Sequence, residues 1–192
     1  HDAVAIALEI EAQRAVGNTL VLCTSYHTVH QLAQRLETAK AIKGTIIEAT
    51  QGVSLQSQAR QFLVAAKAAR DNDQGERVLW LAIGNAWTGL DVGGHEPWKA
   101  LFGEALPAEV DNVLTDLVIP RLPFRTNQSL THMYRIKHKP NFPWDVLDAA
   151  LRFKQGIGRL VRRQSLPKNR RIIILDARLV VPNQRDRHSL FT

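Results

Sequence analysis

The chain contains very little cysteine, which limits the kinds of site that it can hold. Cys23 is the one cysteine among 192 residues. A disulfide within the chain, a zinc site built on cysteines and a cysteine-ligated iron–sulfur cluster are therefore excluded, and we predict no metal site. Cys23 stands in an apolar run, so we expect its side chain to be buried.

Long apolar runs are also missing. No stretch approaches the roughly 18 apolar residues that a membrane helix needs, and the start at His1 and Asp2 lacks the features of a signal peptide. We therefore expect a cytoplasmic location and no membrane partner. Because the first residue is not Met, we also expect the chain to be a fragment of a larger protein, with a processed or tagged start as the alternative.

Basic charge is abundant but unevenly distributed. The formal net charge is +7 at pH 7. Residues 1–150 carry 14 Lys and Arg against 16 Asp and Glu, whereas residues 151–192 carry 11 against 2. Such a concentration favours a surface that faces a polyanion, with nucleotide phosphate and nucleic acid as the leading candidates.

Short apolar runs alternate with segments of helical period along most of the chain. This alternation predicts an α/β fold with an open, mostly parallel sheet and helices on both faces. We expect one domain over residues 1–181 and a polar tail over residues 182–192. The predicted strands are 19–24, 45–49, 77–84, 112–119 and 171–178, and the predicted helices are 2–16, 27–40, 55–70 with Ser54 as N-cap, 129–138 and 144–163.

The turn after the first predicted strand is one candidate site, because ligands of open parallel sheets gather at the carboxyl ends of the strands. Thr24 and Ser25 offer hydroxyl groups and backbone amides at a helix N-terminus, where a phosphate can be held. N-capping alone explains the same residues equally well, so both interpretations stay open. His27 and His30 are expected to be surface residues, because no third metal ligand is near in sequence.

A glycine-rich turn follows the third predicted strand. It runs from Gly84 to Gly94 and combines four glycines with Trp87, Thr88 and Asp91. Glycine permits tight turns and lets a ligand approach the backbone closely. We therefore expect this turn to contribute to a binding site.

A segment near the C-terminus places one glutamine and two arginines at helical spacing. Gln155, Arg159 and Arg162 would share one face of a helix, and two guanidinium forks with an amide suit a polyphosphate. Gly156 and Gly158 each cost a helix about 1 kcal/mol relative to alanine, which indicates a packing reason or the close approach of a ligand. A solvated basic face remains the alternative.

The pattern Gln155-x-x-Gly-Arg-x-x-Arg162 resembles motif VI of superfamily 2 helicases. Trp87, Gly89 and Asp91 resemble the Trp-x-Gly-x-Asp core of motif V in the DinG/XPD branch of that superfamily. Two positions depart from this branch, because Thr88 stands where Glu is usual and Gly93 stands where Pro is usual. Any role of that Glu is therefore not carried over.

Two further segments are similar to the same branch. Leu122-Pro123-Phe124 resembles its turn between motifs V and VI, although residues 125–128 depart from the proline-rich continuation usual there. The strand that ends in Asp176-x-Arg178 resembles the strand after motif VI. The resemblance covers residues 17–181 and implies a second RecA-like domain of a helicase.

The resemblance also implies cofactors and partners. The sequence contains neither a Gly-x-x-x-x-Gly-Lys-Ser/Thr phosphate loop nor an Asp-Glu-x-His type motif for magnesium, and both belong to the first motor domain of such enzymes. ATP and Mg²⁺ would therefore be held mainly by an N-terminal RecA-like domain of the same protein. The implied activity is ATP-driven translocation on single-stranded DNA from 5′ to 3′. The Trp-Thr-Gly-x-Asp sequence around Thr88 resembles the DinG-type helicase of type IV CRISPR systems, which implies a CRISPR ribonucleoprotein as a partner.

The roles implied for single residues follow the motifs. Arg159 and Arg162 would stabilise charge on the γ-phosphate of ATP, and Gln155 would orient water or phosphate. Contacts to the DNA backbone would not read sequence. The implied nucleotide-binding residues are Gly89, Asp91 and Gly158, and the implied DNA-binding residues are Thr24, Ser25 and Thr88.

Two other functional classes stay open. A nucleic-acid-binding module with no ATP role would use only the basic C-terminal segment, and the glycines of both motifs would then be dispensable. A small-molecule α/β enzyme would need a nucleophile and a base in the loops at the strand ends. No Gly-x-Ser-x-Gly pattern or paired acid and base occurs there, so this class is the least favoured.

Overall fold

A computed structural model of the chain describes residues 6–8, 17–40, 42–72, 75–83, 86, 94–107, 110, 112–124, 129–158 and 170–176. It contains five strands, which are β1 (Asn18–Leu22), β2 (Gly44–Glu48), β3 (Arg77–Ala82), β4 (Leu114–Ile119) and β5 (Arg171–Ile174). Its longer helices are α1 (Tyr26–Thr38), α2 (Leu55–Asp71), α3 (His95–Phe102), α4 (Leu130–His138) and α5 (Trp144–Ile157). Residues 6–8 are also helical.

The five strands form one sheet in the order β2-β3-β1-β4-β5, and every neighbouring pair is parallel. Strand β1 lies at the centre. All four described residues from Thr19 to Leu22 are buried, as expected for a strand that is covered on both faces. The open parallel α/β sheet predicted from the sequence is therefore confirmed.

Side chains that alternate along β1 pack against helices on opposite faces of the sheet. Leu20 and Leu22 belong to a core cluster with Phe62 of α2 and Trp98 of α3. Val21 belongs to a second cluster with Leu32 of α1. Because successive side chains of a strand point to opposite faces, α1 covers one face while α2 and α3 cover the other.

Most predicted elements are found within two residues of their predicted bounds, and Ser54 does cap α2, accepting from the backbone N–H of Ser57 at 3.1 Å. The helix α3 was missed. The last predicted helix was placed at 144–163, but α5 ends at Ile157 with Gly158 as its C-cap, and residues 159–163 lie outside the described part. The predicted helix 2–16 can be compared only at residues 6–8, which are helical. The predicted tail 182–192 also lies outside the described residues.

Candidate functional site

The sheet has a topological switch point beside its central strand. The chain leaves β1 for α1 on one face, whereas β3 continues towards α3 on the other face. The strand β4 likewise leads to α5, whose Phe153 packs against the cluster that contains Trp98. In an open α/β sheet, neighbouring strands whose connections leave on opposite faces open a crevice at their carboxyl ends, where ligands bind.

Thr24 and Ser25 lie at this crevice, directly after β1. The Ser25 hydroxyl accepts from the backbone N–H of Thr28 at 3.2 Å, and the two hydroxyl oxygens are 2.9 Å apart. The N-capping interpretation of Ser25 is therefore confirmed for its side chain. Thr24 is exposed and plays no part in this cap.

The turn after β4 is anchored to the end of β5. A carboxylate oxygen (Oδ2) of Asp176 accepts from the backbone N–H of Leu122 at 2.8 Å. The N–H of Leu175 also donates to the carbonyl of Ile119 at 2.9 Å, so the two strands stay joined beyond the ladder. Asp176 is buried, and its bond fixes the start of the Leu-Pro-Phe turn at the same edge of the sheet as Thr24. The sequence indicated Asp176 only through its resemblance to the strand after motif VI.

The third candidate group lies at the C-terminal end of α5. The side chain of Gln155 is exposed. Gly156 is buried, so close packing explains a glycine at this position, which is one of the two reasons expected from the sequence. Gly158 caps the helix in the right-handed α conformation, and its N–H donates to the carbonyl of Lys154 at 3.1 Å. A Cβ atom at Gly158 would lie 3.3 Å from the carbonyl oxygen of Gln155, which is close for such a contact.

Several predicted site residues lie outside the described residues. These residues are Arg159 and Arg162 of the motif VI pattern and Thr88, Gly89 and Asp91 of the motif V pattern. The described residues Ala86 and Trp98, on either side of the motif V pattern, are both buried. The structure therefore locates the ends of both motifs but brings together no complete set of predicted site residues.

Thr24 and Ser25 belong to the carboxyl end of β1, and Gln155 and Gly158 belong to the end of α5. The shared function of these two groups thus remains a prediction. The missed helix α3 follows the glycine-rich turn directly, with Gly94 as its N-cap residue.

His27, His30 and Cys23 lie where the sequence predicted them. His27 and His30 are exposed, and Nδ1 of His30 lies 3.6 Å from a carboxylate oxygen of Glu48. Cys23 is buried as predicted, and its burial raises the pKa of the thiol to about 12. Across the residues that the structure describes, no group of three or more His, Cys, Asp and Glu is arranged to hold a metal ion. In that same part of the chain, no helix is both long and apolar enough to cross a membrane.

The comparisons with known proteins support the resemblance to the second motor domain of DinG/XPD-like helicases. Residues 8–189 match the family described as helicase C-terminal domain, and this chain belongs to that family. Among individual proteins, it is 30% identical over 178 residues to the protein named 3'-5' exonuclease DinG of Bacillus subtilis (strain 168). That match covers 90% of this chain but 16% of the relative, so the chain corresponds to a small part of that protein's length. It is a DinG-like helicase C-terminal domain.

Proposed function

We propose that this chain acts as the second motor domain of an ATP-dependent DNA helicase. The observation that carries the proposal is the match of residues 8–189 to the helicase C-terminal domain, in a sequence that has no phosphate loop of its own. A domain of this kind works only with a second domain that holds ATP and Mg²⁺. The ATP site is then completed across the cleft between the two domains.

Arg159 and Arg162 are the arginine fingers in this proposal. Such a group stabilises the charge that spreads over the transferred phosphoryl group, and its loss costs about 10³ to 10⁵ in rate in related systems. Gln155 is exposed at the end of α5, and in this proposal its amide would reach a ligand across the cleft. The backbone turns that contact the nucleotide in this proposal contain Gly89, Asp91 and Gly158.

The DNA track uses the carboxyl edge of the sheet. Thr24 supplies an exposed hydroxyl group there, and Ser25 orders the first turn of α1, whose backbone amides and partial positive charge favour a phosphate. Thr88 would extend the track from the turn after β3. The proposed direction of movement is 5′ to 3′, by resemblance to the DinG/XPD branch. The assignment to the type IV CRISPR-associated DinG, with a CRISPR ribonucleoprotein as partner, rests on Thr88 alone.

The rate of ATP hydrolysis tests the half-site proposal, in which this chain supplies only one side of the ATP site. The purified 192-residue chain should hydrolyse ATP no faster than background, with or without single-stranded DNA, because it lacks the groups that bind Mg²⁺ and the β-phosphate. The longer protein that contains both motor domains should hydrolyse ATP under the same conditions. DNA-stimulated hydrolysis by the short chain alone would show that the half-site proposal is wrong.

A further inference from the structure

The helices α4 and α5 form a hairpin that is held together by one buried histidine. His132 is the buried residue of α4, and its Nε2 lies 3.2 Å from a carboxylate oxygen of Asp145 in α5. Its Nδ1 lies 3.9 Å from a carboxylate oxygen of Asp148. Every other described side chain of α4 is exposed, so α4 presents most of its surface to solvent.

Two ring pairs lie on this hairpin. The rings of Tyr134 and His138 have centroids 4.0 Å apart, and those of Phe142 and Trp144 have centroids 4.3 Å apart. The guanidinium of Arg135 lies over the Trp144 ring, 5.2 Å from its centroid, and so connects the helix to the second ring pair. We call these five residues the aromatic strip.

Two rings of the strip are exposed, and a third is held by a hydrogen bond. The exposed fraction is 64% for Tyr134 and 45% for Phe142. The indole N–H of Trp144 donates to the carbonyl of Lys139 at 3.2 Å, which fixes the second ring pair against the end of α4. Large exposed aromatic rings that are held in place by neighbours are uncommon on surfaces that have no partner.

Positive charge predominates around the strip, although Asp145 and Asp148 of α5 lie beside His132 in the same hairpin. Between Ser129 and Trp144 the sequence carries Arg135, Lys137 and Lys139, and it carries neither Asp nor Glu. Surfaces that bind single-stranded nucleic acid combine these two features, because unpaired bases stack on aromatic rings while Lys and Arg neutralise the phosphates. A duplex hides the faces of its bases, so a strip of this kind favours single strands.

We propose that the aromatic strip binds single-stranded DNA. Unpaired bases stack on Tyr134 and Phe142, and the phosphates between them contact Arg135, Lys137 and Lys139. This surface goes beyond the proposed ATP site, because it requires no nucleotide and no arginine finger. The choice of DNA over RNA is the one respect in which it rests on the proposed function.

Fluorescence anisotropy with the 192-residue chain and a labelled 20-nucleotide oligo-dT tests the strip. Replacement of both Tyr134 and Phe142 by Leu keeps apolar bulk but removes the rings. Because stacking contributes about 1–3 kcal/mol per base, this double variant should bind about 10-fold or more weaker, whereas Tyr134→Phe should bind like wild type. Lys137→Gln should lower the slope of log affinity against log salt by about 0.7.

Leu130 and Met133 provide matched controls, because they are exposed apolar residues of the same helix without rings. Leu130→Ala and Met133→Ala should leave DNA binding unchanged. Wild-type affinity in the double Leu variant, with circular dichroism showing it to be folded, would overturn the proposal. Equal loss in the Leu130 and Met133 variants would instead indicate a general apolar surface of the kind that docks protein, and would overturn it too.

Two further experiments separate this proposal from binding of another nucleic acid and from the proposed helicase function. Tighter binding to an RNA oligomer of the same length, or to duplex DNA, would overturn the assignment to single-stranded DNA. The chain with both Arg159→Ala and Arg162→Ala should keep its dependence on Tyr134 and Phe142. If those arginines prove to have no role in ATP hydrolysis, the proposed helicase function fails while the strip stands on its own measurement.

Discussion

Asp176 accepts a hydrogen bond from the backbone N–H of Leu122 at 2.8 Å, and this bond joins the loops that follow β4 and β5. The two residues are 54 positions apart in the chain. The carboxylate is buried and its partner is a backbone donor, so loss of the acceptor leaves a buried N–H without this bond. The contact fixes the edge of the sheet at which the candidate site lies.

Asp176→Ala should therefore lower the free energy of unfolding by about 1–3 kcal/mol, because a buried donor loses its acceptor. Urea denaturation followed by circular dichroism measures this change. Asp71→Ala serves as the control, since Asp71 is exposed and pairs with Lys67 at the surface, where an ion pair contributes at most about 1 kcal/mol. Equal effects of the two substitutions would mean that Asp176 does not anchor the turn.

Cys23 should be chemically inert in the folded chain. Burial raises the pKa of its thiol to about 12, so almost no thiolate is present at pH 8. Iodoacetamide at pH 8 should leave the folded chain unmodified and should alkylate the chain in urea. Rapid alkylation without denaturant would show that the strand end around Cys23 opens readily.

The same burial predicts how stability changes in alkali. The folded-state pKa lies above the ordinary thiol value of 9.0, so the contribution of the neutral thiol is fully present below pH 9 and is lost as pH rises towards 12. The free energy of unfolding of wild type should fall more steeply across this range than that of Cys23→Ala. Parallel pH profiles for the two proteins would contradict the predicted shift.

Substitutions at Thr24 and Ser25 should separate DNA binding from helix capping. Thr24→Ala should weaken binding to single-stranded DNA by up to about 10-fold with unchanged stability, because its exposed hydroxyl group caps no helix. Ser25→Ala should in addition lower the free energy of unfolding by about 1 kcal/mol, because the cap of α1 is lost.

Thr50→Ala is the control for this pair, since Thr50 is exposed in the loop after the edge strand β2. It should change neither affinity nor stability. Anisotropy titrations at two salt concentrations provide the measurement, and affinity should fall as salt rises. Salt-independent binding would mean that phosphate contacts do not hold the DNA.

Local signals were sufficient to predict much of the fold. The start of α2 followed from Ser54, because an N-cap is a contact within four residues. The strand β1 followed from its apolar run, which is typical of a strand buried on both faces. The strand order was not predicted, because it depends on pairings between distant segments such as Leu20 with Trp80 and Leu117.

Other features could not be predicted because they depend on tertiary contacts. The helix α3 has eight residues after a glycine-rich turn, and it is stabilised by burial of Trp98 rather than by a strong helical pattern. The end of α5 was placed too late because Arg159 and Arg162 fit a helical period, whereas the helix ends at Ile157. The anchor between Asp176 and Leu122 joins segments whose proximity only the folded sheet defines.

The central claim concerns Arg159 and Arg162, and it is tested by steady-state ATP hydrolysis in the protein that contains both motor domains. Arg159→Ala and Arg162→Ala should each lower kcat by about 10² or more with nearly unchanged affinity for single-stranded DNA. Lys at either position should restore little, because one ammonium cannot reproduce the guanidinium fork. Arg163→Ala, one residue outside the motif, should hydrolyse ATP like wild type. Near-normal hydrolysis by both alanine variants, together with lost DNA affinity, would place these arginines in a nucleic-acid groove and contradict their role at the γ-phosphate.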